Sequence, residues 1–129
     1  MGEGPVWKQN RLRFTVAHEI GHYVLHREQM AKIKFVSFEQ FAAYFKADDG
    51  PRYVLEQEAN EFAGRLLVPT ERLREHFDRF AQQIAGIMPN WIASEDLRSK
   101  FAETVSPKFG VHAQAILTRL DREGLWPPP

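Results

Sequence analysis

The run His18-Glu19-Ile20-Gly21-His22 constrains this chain more than any other feature. On an α-helix each residue turns about 100°, so positions i and i+4 lie about 40° apart and one turn up. His18 and His22 then project their imidazoles from one face, and two ring nitrogens can reach one divalent ion. Glu19 sits beside that face. It can hydrogen-bond a water held by the metal and take its proton, without being a ligand. This chemistry requires a helix, and the flanking residues agree. Val16, Ala17, Ile20, Val24 and Leu25 make the segment apolar and predict burial, where two polar rings need partners. Gly21 costs up to about 1 kcal/mol relative to Ala in mid-helix. Its presence predicts a close approach or a packing contact at that point.

Composition narrows the chemistry. The chain has no cysteine, which excludes disulfides and thiolate metal sites, so a metal must be held by histidine and carboxylate. Seventeen Lys+Arg balance seventeen Asp+Glu, which argues against a nucleic-acid binder that relies on bulk charge. The length of 129 residues suits one domain with its own core. No signal peptide and no apolar run long enough for a membrane span is evident, so the default expectation is a soluble cytoplasmic protein.

Patterning predicts a mainly helical chain. A loose start over 1–10 leads to a helix over 11–27 that carries the motif. Residues 33–38 are rich in β-formers and predict a short strand, and 41–45 a short helix. The turn Asp48-Asp49-Gly50-Pro51 precedes a second strong helix over 52–68. Leu55, Ala59, Phe62, Ala63 and Leu66 form its stripe, and Pro69 stops it. Thr70 is placed to cap a third helix with Leu73, Phe77, Phe80, Ala81 and Ile84 on its buried face. Ser94 or Asp96 starts a fourth near 97–103. A fifth runs over 111–123, with Gly124 as its stop.

A catalytic zinc usually takes three protein ligands and keeps one position open for water. The continuation H-E-x-x-H-x-x-G-x-x-H requires glycine and histidine where this chain has Leu25 and Glu28, so it fails. His26 continues the i+4 series but lies about 12 Å along the axis from His18, too far to share an ion with it. It reads as a surface residue or one that orients a ligand. The remaining choice is a glutamate of the second helix, giving two histidines and one carboxylate. With the apolar stripe centred near Leu66, Glu56 and Glu58 flank it by about 80° on either side, and Glu61 points away. Asn60, one turn after Glu56, can orient a ligand. Pattern alone leaves Glu56 and Glu58 level.

Residues 12–26 (Leu-Arg-Phe-Thr-Val-Ala-His-Glu-Ile-Gly-His-Tyr-Val-Leu-His) resemble the active helix of the ImmA/IrrE-type metallopeptidases. So does the stretch from Leu55-Glu56-Gln57-Glu58-Ala59-Asn60 to Leu66-Leu67-Val68-Pro69. The tail around Phe109-Gly110-Val111 and Arg119-Leu120-Asp121 is similar to their small helical ending. The resemblance covers most of residues 11–125. It implies a single zincin-like α+β domain over 1–129, mainly helical, with a small sheet or hairpin on the motif helix and residues 90–125 as a helical subdomain. It implies Zn²⁺ on His18, His22 and Glu56, with Glu58 as the reserve choice and Glu19 as general base. It also implies a protein substrate such as a transcriptional repressor. Strands ahead of the active helix would hold that substrate. Only 17 residues precede His18 here, and residues 33–38 are the segment that can supply such a strand.

Three functions follow from these readings. The first is a zinc-dependent peptidase, with Tyr53, Arg52, His76 or His112 available as a donor to the oxyanion. The second is a weakly active or inactive metal-binding module that regulates by docking a partner. The third is a DNA-binding pair of helices over 94–124, with Arg98, Lys100, Lys108, Arg119 and Arg122 on phosphates. The acidic residues interspersed there weaken the local field and argue against it.

Overall fold

The computed structural model describes residues 5–31, 36–40 and 50–126. They are mainly helical: α1 (Val6–Ala31), α2 (Gly50–Leu67), α3 (Thr70–Ala85), a 3₁₀ turn (Trp91–Ala93), α4 (Glu95–Phe109) and α5 (Ala113–Glu123). No strand occurs among the described residues. Of the strand expected over 33–38, residues 33–35 lie outside them, 36–37 form a bend, and 38–40 are helical. The short helix expected over 41–45 also lies outside them. Helix α1 starts at Val6 rather than near residue 11, its first turn closed by the Lys8 and Gln9 amides on the Pro5 carbonyl. No described helix is long and apolar enough to cross a membrane.

The chain forms two compact units, one from residues 1–14 and 64–129, the other from 15–63. The larger unit is built around aromatic rings. Trp126 is fully buried, with Trp91, Phe80, Phe101 and Phe77 at ring-centre distances of 5.1, 5.7, 5.8 and 5.9 Å. Its indole N–H donates to the Ile92 carbonyl at 2.8 Å, so the one polar atom of the ring is satisfied.

Helix α4 begins as its sequence predicts. The Ser94 hydroxyl accepts from the Leu97 amide at 3.2 Å, and Glu95 and Asp96 lie in the first turn, where the helix dipole favours negative charge. It runs beyond residue 103, through Pro107. Proline has no N–H for the carbonyl four residues back, and the Ser106 hydroxyl donates to that Glu103 carbonyl at 3.4 Å. The helix stops at Gly110, whose φ of 65° suits glycine, with the Val111 amide reaching back to the Ser106 carbonyl. The first turns of α1 are tied to this corner. Arg13 donates to the Phe109 carbonyl at 3.2 Å and Asn10 to that of Val111 at 3.4 Å.

Thr70 does not cap α3 with its side chain. Pro69 holds the cap position, and the Thr70 hydroxyl instead donates to Glu123 at 2.8 Å while accepting from Arg119 at 2.8 Å. Arg119 is 2% exposed and also bonds the Val68 carbonyl and Glu123, both at 3.0 Å. The hydroxyl is thus drawn to a buried guanidinium with one more donor to satisfy, which outweighs an optional cap. This network holds the Glu123 carboxyl below its ordinary pKa of 4.5, first through the Thr70 hydrogen bond and then through Arg119. His76 is held below 6.5, by burial and by Lys108, Arg79 and Arg72.

Both shifts act in the same sense. Where a folded-state pKa is depressed, the unfolded chain binds more protons and stability falls with acid. Stability should therefore decline as pH drops below about 6.5 through His76, and again below about 4.5 through Glu123. Glu123→Gln should be less stable than wild type at pH 7, and the difference should shrink as pH falls below about 4.5. Thermal melts across this range read it directly. A constant difference at every pH would refute the assignment to Glu123.

Candidate metal centre

The smaller unit brings the motif helix against α2 through small residues. Gly21 is buried, and a Cβ placed on it would lie 3.1 Å from the Phe62 ring and 3.2 Å from the Ala59 carbonyl oxygen. Ala17 and Ala59 are buried too, at 2% and 0% exposure. The larger residues expected to be buried on α1 are not. Val16, Ile20, Val24 and Leu25 are exposed. The inward face is Ala17, Gly21 and His26, because close backbone approach selects small side chains over apolar bulk. Gly21→Ala should cost roughly 1–3 kcal/mol of overpacking against the Ala59 carbonyl and Phe62, offset in part by up to about 1 kcal/mol of helix propensity, for a small net loss. Thermal melts would detect the loss, and metal affinity should fall with it as the helices are forced apart. A variant as stable as wild type would contradict this packing.

That close approach brings three donors together. His22 Nε2 lies 3.0 Å from His18 Nε2 and 2.8 Å from Glu56 Oε1, and His18 Nε2 lies 3.1 Å from Glu56 Oε2. The three are the one His/Asp/Glu group with metal-binding spacing among the described residues. Ligands about 2.0–2.2 Å from one tetrahedral ion lie roughly 3.3 Å apart, so these contacts need open only slightly. Two imidazole lone pairs and a carboxylate this close repel one another unless a cation or shared protons lie between them. The donor set therefore fits a divalent metal.

The rings are oriented from behind. His18 Nδ1 contacts Asn60 Oδ1 at 2.7 Å. The amide oxygen accepts, which places the hydrogen on Nδ1 and leaves the Nε2 lone pair toward the cluster. His22 Nδ1 contacts His26 Nδ1 at 3.0 Å, and His26 Nε2 contacts Glu58 Oε1 at 2.9 Å. His26, at 2% exposure, is therefore one of the most buried polar side chains rather than a surface residue.

The two glutamates left level by the sequence pattern are brought to different partners. The buried stripe of α2 is Leu55, Ala59 and Ala63, while Leu66 is 48% exposed. Measured from Ala59 instead of Leu66, Glu56 lies about 60° away and Glu58 about 100°. Glu58 thus reaches only the half-exposed rim, where it meets His26. Glu19 stands on the exposed side of the same turn, outside the three-residue group. Of the four residues considered as oxyanion donors, Arg52 and Tyr53 lie in the first turn of α2 within this unit, whereas His76 and His112 belong to the larger unit.

The helix pair weighed and disfavoured as a DNA-binding element uses two of its cations internally. Arg98 pairs with Asp121 and Arg119 with Glu123, and both arginines are buried. Exposed positive charge there is correspondingly reduced.

Paired imidazoles and a carboxylate on two packed helices, one of them carrying H-E-x-x-H, are a donor arrangement of metallopeptidases. Residues 8–121 match the Peptidase M78 family, the IrrE N-terminal-like domain, and the chain belongs to that family. No curated protein and no solved structure matches it.

Proposed function

We propose that this protein is a zinc-dependent peptidase that hydrolyses peptide bonds in a protein substrate. The observation that carries this reading is the convergence of His18, His22 and Glu56 within 4.8 Å of one another. Two nitrogens and one oxygen suit zinc, and no thiolate is present to select a softer metal. His18, His22 and Glu56 would hold the ion. Once bound, it supplies a Lewis acid that lowers the pKa of water toward about 7 and polarises the scissile carbonyl.

The chain's own groups do the rest. Asn60 holds His18 in the tautomer that presents Nε2. Glu19, one residue after the first ligand and exposed, accepts the proton of the attacking water and delivers it to the leaving amine. The reading brings with it a single zincin-like α+β domain with a small sheet beside the active helix. Its substrate is a cytoplasmic protein, a transcriptional repressor being the kind the family resemblance points to.

Purified protein should take up one equivalent of zinc, and His22→Ala and Glu56→Ala should each lose it. Cleavage of an unfolded protein such as casein should stop on chelation. Full zinc loading in both variants, or cleavage indifferent to the chelator, would overturn the proposal.

A further inference from the structure

We infer that His26 and Glu58 are positioning residues for the ligand His22, a second relay that complements Asn60 behind His18. The inference rests on the zinc reading above and adds to it two residues outside the donor group.

Three contacts in series carry it. Glu58 Oε1 lies 2.9 Å from His26 Nε2, and His26 Nδ1 lies 3.0 Å from His22 Nδ1. His22 Nε2 then faces Glu56 and His18. A contact between two ring nitrogens requires one donor and one acceptor. The carboxylate of Glu58 can only accept, so the hydrogen on His26 sits at Nε2. A neutral His26 then offers a lone pair at Nδ1, and the hydrogen shared between the rings belongs to His22. That leaves His22 Nε2 bare and aimed at the cluster, the form that binds a metal.

Burial makes the relay matter. His26 is 2% exposed, so water cannot replace either partner freely. An imidazole there without acceptor and donor would cost more than an apolar residue of similar size. The spacing His18, His22, His26 therefore has two uses. The first pair supplies donors to the ion, and the third ring supports the second. The half-exposed Glu58 anchors the series at the rim.

The test is zinc affinity, measured by competition with a chromogenic chelator, with cobalt spectra and histidine tautomers as independent readouts. His26→Leu should weaken zinc binding by about 10- to 100-fold. His26→Asn keeps an acceptor near the His22 Nδ1 position and should restore most of it. Glu58→Ala should weaken binding, and Glu58→Gln, which still accepts from Nε2–H, should lose less. Long-range ¹H–¹⁵N spectra of the zinc form should show a slowly exchanging His22 Nδ1 hydrogen in wild type, lost in His26→Leu. If His26→Leu does not fold, the half-exposed Glu58 variants decide. Affinities within twofold of wild type for Glu58→Ala and any folded His26→Leu would overturn the inference while leaving the zinc reading intact. A wild-type protein that takes up no zinc would overturn both.

Discussion

Glu19→Gln is expected to lower peptide hydrolysis by about 10²- to 10⁴-fold while one zinc remains bound. The amide keeps the size of the carboxylate and its ability to hydrogen-bond water, but it cannot take a proton at neutral pH. Glu19 is exposed and lies outside the group formed by His18, His22 and Glu56, so its replacement leaves the donors in place. The contrast with Glu56→Gln is the useful part. Both variants remove one carboxylate from neighbouring positions of one site, yet only Glu56→Gln should release the metal. Zinc stoichiometry and cleavage rate, measured on the same samples, separate the two roles. Wild-type turnover in Glu19→Gln would remove it as the base.

The second large effect is on stability. Trp126→Ala should destabilise the larger unit by about 3–5 kcal/mol, a large share of the 5–15 kcal/mol typical of a folded protein. The side chain is fully buried, and its truncation opens a void among Phe77, Phe80, Trp91 and Phe101 that these rigid rings cannot collapse to fill. It also leaves the Ile92 carbonyl without its 2.8 Å donor. Trp126→Phe keeps one aromatic ring in the cluster but loses the N–H and part of the indole's volume, so it should cost less than the alanine variant. Its cost should be about 1–3 kcal/mol, most of it from the lost packing, because Ile92 is exposed and water can reach the freed carbonyl. Urea unfolding followed by circular dichroism gives both values. A loss below about 1 kcal/mol for Trp126→Ala would show that the cluster relaxes more readily than close packing allows.

Some of the site was legible because it is local. The i, i+4 spacing of His18 and His22 fixes their common face wherever the segment is helical, and a helix of several turns was evident from composition and length. The cap at Ser94 and the stop at Gly124 depend on one residue type at one backbone position, so they too can be read along the chain, whereas the stop at Gly110 lies beyond the end expected near residue 103. Other expectations failed for one shared reason: they judged burial from hydrophobicity. Val16, Ile20 and Leu66 are apolar yet exposed, while His26 and Arg119 are polar yet buried. A helix seam made of Ala17, Gly21 and Ala59 has little hydrophobic signature, because what it gains is proximity rather than apolar area. Thr70 misled for a different reason. Its capping propensity is real, but a buried guanidinium 49 residues later competes for the same oxygen.

The sequence by itself determined the chemistry on offer. A metal site had to be made from histidine and carboxylate, two of its donors had to come from one turn of helix, and Glu19 stood beside them as the proposed base. Spacing left the glutamates level and the family resemblance pointed to Glu56; the tertiary structure brings Glu56 to the two histidines and decides what stands behind each ring. Two carboxylates placed symmetrically about an assumed stripe are equivalent in sequence. They become unequal once Gly21 lets α1 settle on Ala59 and turns the Glu56 side of α2 toward the histidines. That choice depends on a contact between segments 38 residues apart, and no local periodicity carries the distance between them.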